Sequence, residues 1–170
     1  LATMRSCGAD IAITMNWPTL MNEAVTSCFP LGIVNSHGSD LPKYRGNACP
    51  NWAILEGEKQ IGLSFHFIDP NGLDTGDVLL RKFIDNGPNL YIRHVYDWLA
   101  DIVPKGFMEV LELHDTGKLK PMKQDDRMAI RAYPRRPDDG RLRFDLPAEQ
   151  LHRLKKHRIF GRLRTSAVTQ

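Results

Sequence analysis

Short apolar runs broken by polar, glycine-rich stretches fill the first half of the chain, and one long helical periodicity dominates the second. Residues 10–15 are nearly continuous in apolar character, the pattern of a strand buried on both faces of a parallel sheet. A second run, residues 31–35, ends at Asn35 and breaks into Ser36-His37-Gly38. Between the two runs Pro18 suits the first turn of a helix, with residues 19–27 as its body. Strand, helix and strand in so short a span predict a parallel βαβ unit with a right-handed crossover. Residues 48–57 read as a short helix carrying Trp52, Ile54 and Leu55 and closed by Gly57. Alternation over residues 61–68 predicts a strand with one better-buried face, residues 69–77 have the turn chemistry of a loop, and residues 78–84 form a further strand. From 91 to 113, Ile92, Val95, Leu99, Ile102, Val103, Phe107 and Val110 recur at helical spacing. They predict a long amphipathic helix, kinked or divided at Pro104 and capped by Gly117. Beyond Pro121 the chain turns polar; residues 133–140 form a connector, and residues 147–154 start one last helix. The fold class is α/β, a mainly parallel sheet flanked by helices.

The chain has 170 residues, 42% hydrophobic and 25% charged, which fits one globular domain with a packed core. No apolar run is long enough to span a membrane. The first residues do not make a signal peptide, and a cytoplasmic location is expected. Cys7, Cys28 and Cys49 have neither metal-ligand nor disulfide-framework spacing and read as free buried thiols in a reducing compartment. The net charge of +3 hides an asymmetry: Arg153, Lys155, Lys156, Arg158, Arg162 and Arg164 crowd the last twenty residues without an acid, so the remainder is net acidic. Residues 155–170 are therefore expected to be a basic, disordered tail, with contact to a polyanion as the alternative.

Chemistry concentrates in two places. Asn35 and His37 stand two residues apart at the end of a strand, where side chains on an extended chain share a face. In parallel sheets ligands sit beyond these carboxyl ends. One side chain is an amide able to donate to a developing oxyanion, and the other is of the type that changes charge near neutral pH. No serine or cysteine sits in a recognised nucleophile motif, so direct transfer between two bound substrates is favoured over a covalent enzyme intermediate. For either residue alone, a structural hydrogen bond is the competing reading. The second place is Gly72-Leu-Asp-Thr-Gly-Asp77, where Asp74, flanked by nearby glycines, can approach a neighbouring strand end and orient an imidazole. A calcium loop from Asp69, Asn71, Asp74 and Asp77 fails its template, since Leu73 and Asp74 occupy the fifth and sixth positions.

These residues name a resemblance. Asn35-Ser-His-Gly-Ser-Asp-Leu-Pro-Lys-Tyr-Arg-Gly46, then Pro50-Asn-Trp-Ala-Ile-Leu-Glu-Gly57, then Gly72 to Asp77 resemble the catalytic domain of methionyl-tRNA formyltransferases. The chain is similar also to nucleotide-sugar and glycinamide ribonucleotide formyltransferases. Residues 134–141 and 147–154 look like that family's link into its C-terminal region, and the likeness runs from about residue 10 to 154.

The resemblance implies a partial Rossmann-like formyltransferase fold. Residues 1–120 would be the C-terminal part of the catalytic domain, and residues 121–154 the linker into a C-terminal region. It implies 10-formyltetrahydrofolate as formyl donor and an amine as acceptor, either a small molecule such as an amino-sugar nucleotide or methionyl-tRNA. Asn35, His37 and Asp74 take the catalytic positions. The pterin would lie against Met15, Asn16 and Trp17 and the loop containing Asp69 and Leu73. Tyr44 and Arg45 would steer a substrate phosphate or hold the loop after Pro42, and Trp52 reads as core. The family carries an additional N-terminal half-sheet, so the chain is expected to be N-terminally truncated. The uncovered sheet edge would then invite self-association. A catalytically incomplete fragment acting as a binding module, or a formyl-folate hydrolase, is the alternative.

Overall fold

A computed structural model describes residues 1–17 and 19–157. Helix α1 (Ala2–Ser6) precedes strand β1 (Ala12–Met15), helix α2 (Glu23–Thr26) and strand β2 (Ile33–His37). After β2 come the two-residue strand β3 (Arg45–Gly46), helix α3 (Cys49–Glu56) and the long strands β4 (Gln60–Phe67) and β5 (Val78–Asp85). Helix α4 (Ile92–Asp115), strand β6 (Arg131–Ala132) and helix α5 (Ala148–Lys156) complete the order.

The main sheet runs β1-β2-β4-β5, and β3 pairs separately with β6. The expected parallel βαβ unit is present, with β1 beside β2. The sheet as a whole is mixed rather than mainly parallel, because β4 runs antiparallel to both β2 and β5. A ten-residue loop joins β4 to β5, and so short a connection between neighbouring strands reverses direction. Helix α2 is one turn long rather than spanning the expected 19–27: Asn22 caps it by accepting from the Val25 N–H at 3.2 Å. Pro30 disfavours helical backbone at Phe29 and limits the run. The expected role of Pro18 lies outside the described residues.

Helix α4 runs unbroken through Pro104, with Gly117 in the left-handed conformation beyond its end. Its Val103, Phe107 and Val110 pack on Val34, Leu63, Phe65 and Leu79 of the sheet. Its first turns, through Ile92 and Val95, join Ile54 and Ala53 of α3 and Ile61 of β4. Strand β4 is buried on both faces, not on one. Ile61, Leu63 and Phe65 belong to the apolar clusters, whereas Gly62 and Ser64 lie under the backbone that follows β2 and His66 lies against Asn35 and Asp74. Ser64 Oγ donates to the Ser39 carbonyl at 2.7 Å and accepts from the Leu41 N–H at 3.1 Å. Backbone pressed on a strand needs small or hydrogen-bonding side chains beneath it, which is why that face is polar yet dry.

Helix α5 includes Lys155 and Lys156, so it extends two residues into the stretch expected to be tail; residues 158–170 lie outside the described residues. Lys156 is buried, its Nζ donating to Asn86 Oδ1 at 2.7 Å and the Gly87 carbonyl at 3.0 Å. Of the three cysteines Cys28 and Cys49 are buried and Cys7 is exposed, all as free thiols. No described helix is long and apolar enough to cross a membrane.

A methyl group on Gly62 would sit 2.6 Å from the Asp40 nitrogen and 2.8 Å from its Cα, and backbone cannot give way cheaply. Gly62→Ala is expected to cost about 1–3 kcal/mol, the usual penalty of overpacking. Gly87→Ala, whose added carbon meets nothing within 4 Å, should stay within about 0.5 kcal/mol of the parent. Urea unfolding midpoints of the two variants check the contrast, and equal midpoints would refute it.

Candidate active site

The polar face of the sheet carries the chemistry. Asn35 and His37 project from the same side of β2, where they pair across the strands with His66 and Ser64 of β4. Asn35 Nδ2 lies 3.1 Å from His66 Nε2. Asp74 enters from the β4–β5 loop, with Oδ2 3.6 Å from His37 Nδ1 and Oδ1 3.6 Å from His66 Nε2. Asn35, His37 and His66 are 9%, 7% and 0% exposed, so the cluster sits at the floor of the site.

Hydrogen bonding assigns the ring tautomers. His66 Nδ1 lies 2.7 Å from the Phe67 carbonyl, which can only accept, so Nδ1 carries the proton and Nε2 accepts from Asn35. Burial is the main force pushing the His66 pKa down, to about 4, and the nearby His37 adds to it against an opposing pull from Asp74. His66 is therefore a neutral acceptor that fixes the Asn35 amide and leaves its second N–H free. His37 Nε2 donates to the Tyr44 carbonyl at 2.8 Å, so its Nδ1 lone pair faces Asp74. At 3.6 Å that pair is too far apart for a direct hydrogen bond. Cys49 Sγ lies 3.4 Å from His37 Nε2 and donates to the Gly46 carbonyl at 3.4 Å. Burial, then Asp74, pushes this thiol up to about 12, which makes it a poor nucleophile.

Strained backbone aims these groups. Tyr44 and Asp74 both occupy the left-handed region, at φ 58° and 55°, a conformation that persists in non-glycine residues only when neighbours enforce it. The Tyr44 turn points its carbonyl at His37, and the Asp74 turn swings the carboxylate onto the Gly46 N–H at 2.9 Å. Gly46 itself has φ 117°, and any side chain there would collide with the Ala132 carbonyl across the β3–β6 pair. The motif therefore needs glycine at this point for both conformation and space.

The three expected catalytic residues thus converge. Met15 and Asn16 follow from β1, where Thr14 and Met15 pair with Asn35 and Ser36. Met15 and Trp17 are 56% and 51% exposed beside the site. Asp69 turns its carboxylate inward, accepting from the Asn71 N–H at 2.9 Å and Thr75 Oγ1 at 2.7 Å. Those two bonds hold its pKa below the usual carboxylate value, the Asn71 N–H most of all. Leu73 stands next to Asp74 in the same loop, partly buried. For Tyr44 and Arg45 the loop-holding alternative prevails: the Tyr44 hydroxyl donates to Glu58 at 2.9 Å, and Arg45 binds Gln124 and Asp126. Trp52 packs on the core and donates to the Tyr133 carbonyl at 2.8 Å. His66 was missed by motif reading; its signal was the small and polar Gly62-Ser64-His66 alternation in β4. A concavity of about 710 Å³ between Tyr44, Glu58 and Asp85 is lined by none of the triad, and convergent chemistry outweighs volume in locating the site.

A family profile described as formyl transferase matches residues 1–111. Methionyl-tRNA formyltransferase of Anaeromyxobacter dehalogenans is 32% identical over 150 residues, covering 88% of this chain and 48% of that protein. Among solved structures, the formyltransferase PseJ of Anoxybacillus kamchatkensis, in complex with UDP-4,6-dideoxy-4-formamido-L-AltNAc and tetrahydrofolate, superposes with a TM-score of 0.64 at 26% identity. That match covers 74% of this chain and 65% of the other. An N-formyltransferase from Helicobacter canadensis, bound to folinic acid and dTDP-3-aminofucose, gives a TM-score of 0.71 at 20% identity, covering 85% of this chain and 53% of the other. The chain spans about half the length of the curated relatives it matches. With the profile covering most of the described fold and the Asn-His-Asp cluster assembled on it, this chain belongs to the formyl transferase family.

Proposed function

We propose that the chain carries the centre of a folate-dependent formyltransferase, moving a formyl group from 10-formyltetrahydrofolate to an amine. The observation that carries this reading is the convergence of Asn35, His37 and Asp74 around one gap, with His66 holding the amide in donor orientation. Half-exposed Met15 and Trp17 at the end of β1 suit a flat heteroaromatic ring, with Asn16 turning the chain at φ 53° between them. Leu73 would close the opposite wall, and Asp69 shapes the loop that presents it. Tetrahydrofolate in the PseJ complex supports the donor class.

The formyl-folate supplies an electrophilic carbon and a nitrogen leaving group. Asn35 donates its free N–H to the carbonyl oxygen as it becomes negative during amine attack. His37 Nδ1 takes the proton released by the amine, and Asp74 stabilises the resulting imidazolium, through a water where the 3.6 Å gap demands one. The new carbon–nitrogen bond forms as the bond to the folate nitrogen breaks, and that nitrogen receives the proton from His37. The acceptor is proposed to be a small amine such as an amino-sugar nucleotide, with methionyl-tRNA as the competing substrate. A reducing, cytoplasmic setting suits the three free thiols.

Purified chain incubated with 10-formyltetrahydrofolate and a panel of amino-sugar nucleotides, glycinamide ribonucleotide and methionyl-tRNA should formylate one class. Asn35→Ala should lower kcat by roughly 10²–10³ and His37→Ala by roughly 10²–10⁴, with circular dichroism unchanged. Formate release without formylated amine would make the chain a hydrolase, and no turnover at all would leave it a binding fragment.

Neutral His66 also sets an acid limit. Its folded pKa of about 4 lies below the ordinary 6.5, so between those values the unfolded chain binds a proton that the folded chain refuses. The stabilisation is complete above pH 6.5 and is lost as pH falls toward 4, by about 3 kcal/mol in all. Urea titrations at pH 7 and pH 4 should show this loss, and His66→Gln should be flatter by that amount; parallel slopes would rule out His66 as the source.

Self-association is proposed through the free edge of β1, flanked by exposed Ile13, Met15 and Leu31. Sedimentation velocity should show concentration-dependent dimers that Ile13→Lys disperses; a monomer at all concentrations would dismiss the proposal.

A further inference from the structure

Gln124 sits on the polar stretch after α4, yet its amide touches both halves of the site. Val78 and Met122 exchange two backbone hydrogen bonds of 2.8 Å, so the chain around Met122 runs antiparallel beside the start of β5. That register carries Gln124 to the turn containing Asp74. Its Nε2 donates to the carbonyls of Asp74 at 2.9 Å and Gly76 at 2.7 Å. Its Oε1 accepts from Arg45 Nε at 3.1 Å and Nη2 at 2.8 Å. A primary amide has two N–H donors and two acceptor lone pairs, and all four are engaged here. Reversing the amide would set oxygen against two carbonyls and the NH2 group against a guanidinium, so its orientation is fixed.

We propose that Gln124 is a positioning residue for the Asp74 carboxylate. Asp74 holds a left-handed backbone at φ 55°, and two restraints enforce it. One is the Gly46 N–H on Oδ2; the other is Gln124 on the Asp74 carbonyl. Because Arg45 directly precedes Gly46, the Gln124 amide ties these two restraints into one unit. Removing it strips the described donor from two carbonyls while Arg45 keeps its bond to Asp126 at 2.7 Å. The Asp74 turn is then the part that relaxes, and the carboxylate leaves its place between the two imidazoles.

The effect on rate rests on the formyl-transfer reading, whereas the effect on Asp74 does not. Gln124→Leu removes all four bonds at similar volume. Gln124→Glu keeps an acceptor for Arg45 and loses both donors. Ring nitrogen NMR of His37 and His66, followed through the imidazole titration range, reads the carboxylate's position directly, with Asp74→Asn as the reference for its loss. Both Gln124 variants should move both rings toward the Asp74→Asn pattern. In turnover, kcat should fall roughly tenfold to a hundredfold, the penalty for about an ångström of misplacement. The KM for formyl-folate should hold and the pH–rate profile should shift. Wild-type ring signals accompanied only by a lower melting temperature would overturn the proposal, as would a Gln124→Glu variant indistinguishable from the parent. Should the parent chain transfer no formyl group to any acceptor, the NMR comparison still decides the role of Gln124, and only the proposed function falls.

Discussion

The site depends on one carboxylate held by backbone rather than by a cation. Asp74 bonds the Gly46 N–H, and its ion-pair partners among the described residues are His37 and His66. A lysine or arginine salt-bridged here would neutralise the carboxylate and remove its influence on the imidazoles. Arg45, which directly precedes Gly46, is instead turned onto Gln124 and Asp126. The β3–β6 pair, the Gly46 conformation and the Val78–Met122 bridge all place these groups. The polar segment after α4, which looks like linker by composition, thus helps to hold the Asp74 turn and Gly46 in place.

Much of this was legible in the sequence, and the parts that were not share a cause. Apolar periodicity found β2, α3, α4 and β5 because each buries an apolar side against a neighbour. Strand β1 was found as an apolar run, but it is not buried on both faces as expected, since at the sheet edge it leaves Ile13 and Met15 exposed. The Asn35–His37 pair was legible because extended backbone places alternate residues on one face. The second buried face of β4 was not, since Gly62 and Ser64 are covered by loop backbone and His66 by polar side chains, not by apolar contact. His66 was lost with it. The left-handed turns at Tyr44 and Asp74 gave no glycine signal, being enforced by hydrogen bonds from residues distant in the chain. Lys156 misled for a related reason: charge was taken as solvation, which holds for exposed Lys155 but not for its neighbour. Lys156 instead reaches Asn86 and the Gly87 carbonyl across the α5 contact, with burial pulling its pKa down.

Two imidazoles beside one carboxylate raise the question of which carries the proton, and the fold answers it through their backbone partners. His66 gives its Nδ1 proton to the Phe67 carbonyl and uses Nε2 to hold Asn35, so protonating it would break the bond that aims the amide. Full burial opposes that protonation, and a cationic His37 opposes it further. A cationic His37 would therefore reinforce the neutrality of His66, and with it the donor orientation of Asn35. In the proposed transfer, charge would build on the substrate oxygen as His37 takes up the amine proton. The same arrangement would then hold the proposed oxyanion donor most firmly when it is needed. Exchanging the two histidines' environments would lose this coupling, because a protonated Nε2 at position 66 could no longer accept from Asn35 and would turn to Asp74. The locked neutral state of His66 follows from burial and its backbone carbonyl, not from the residue type alone.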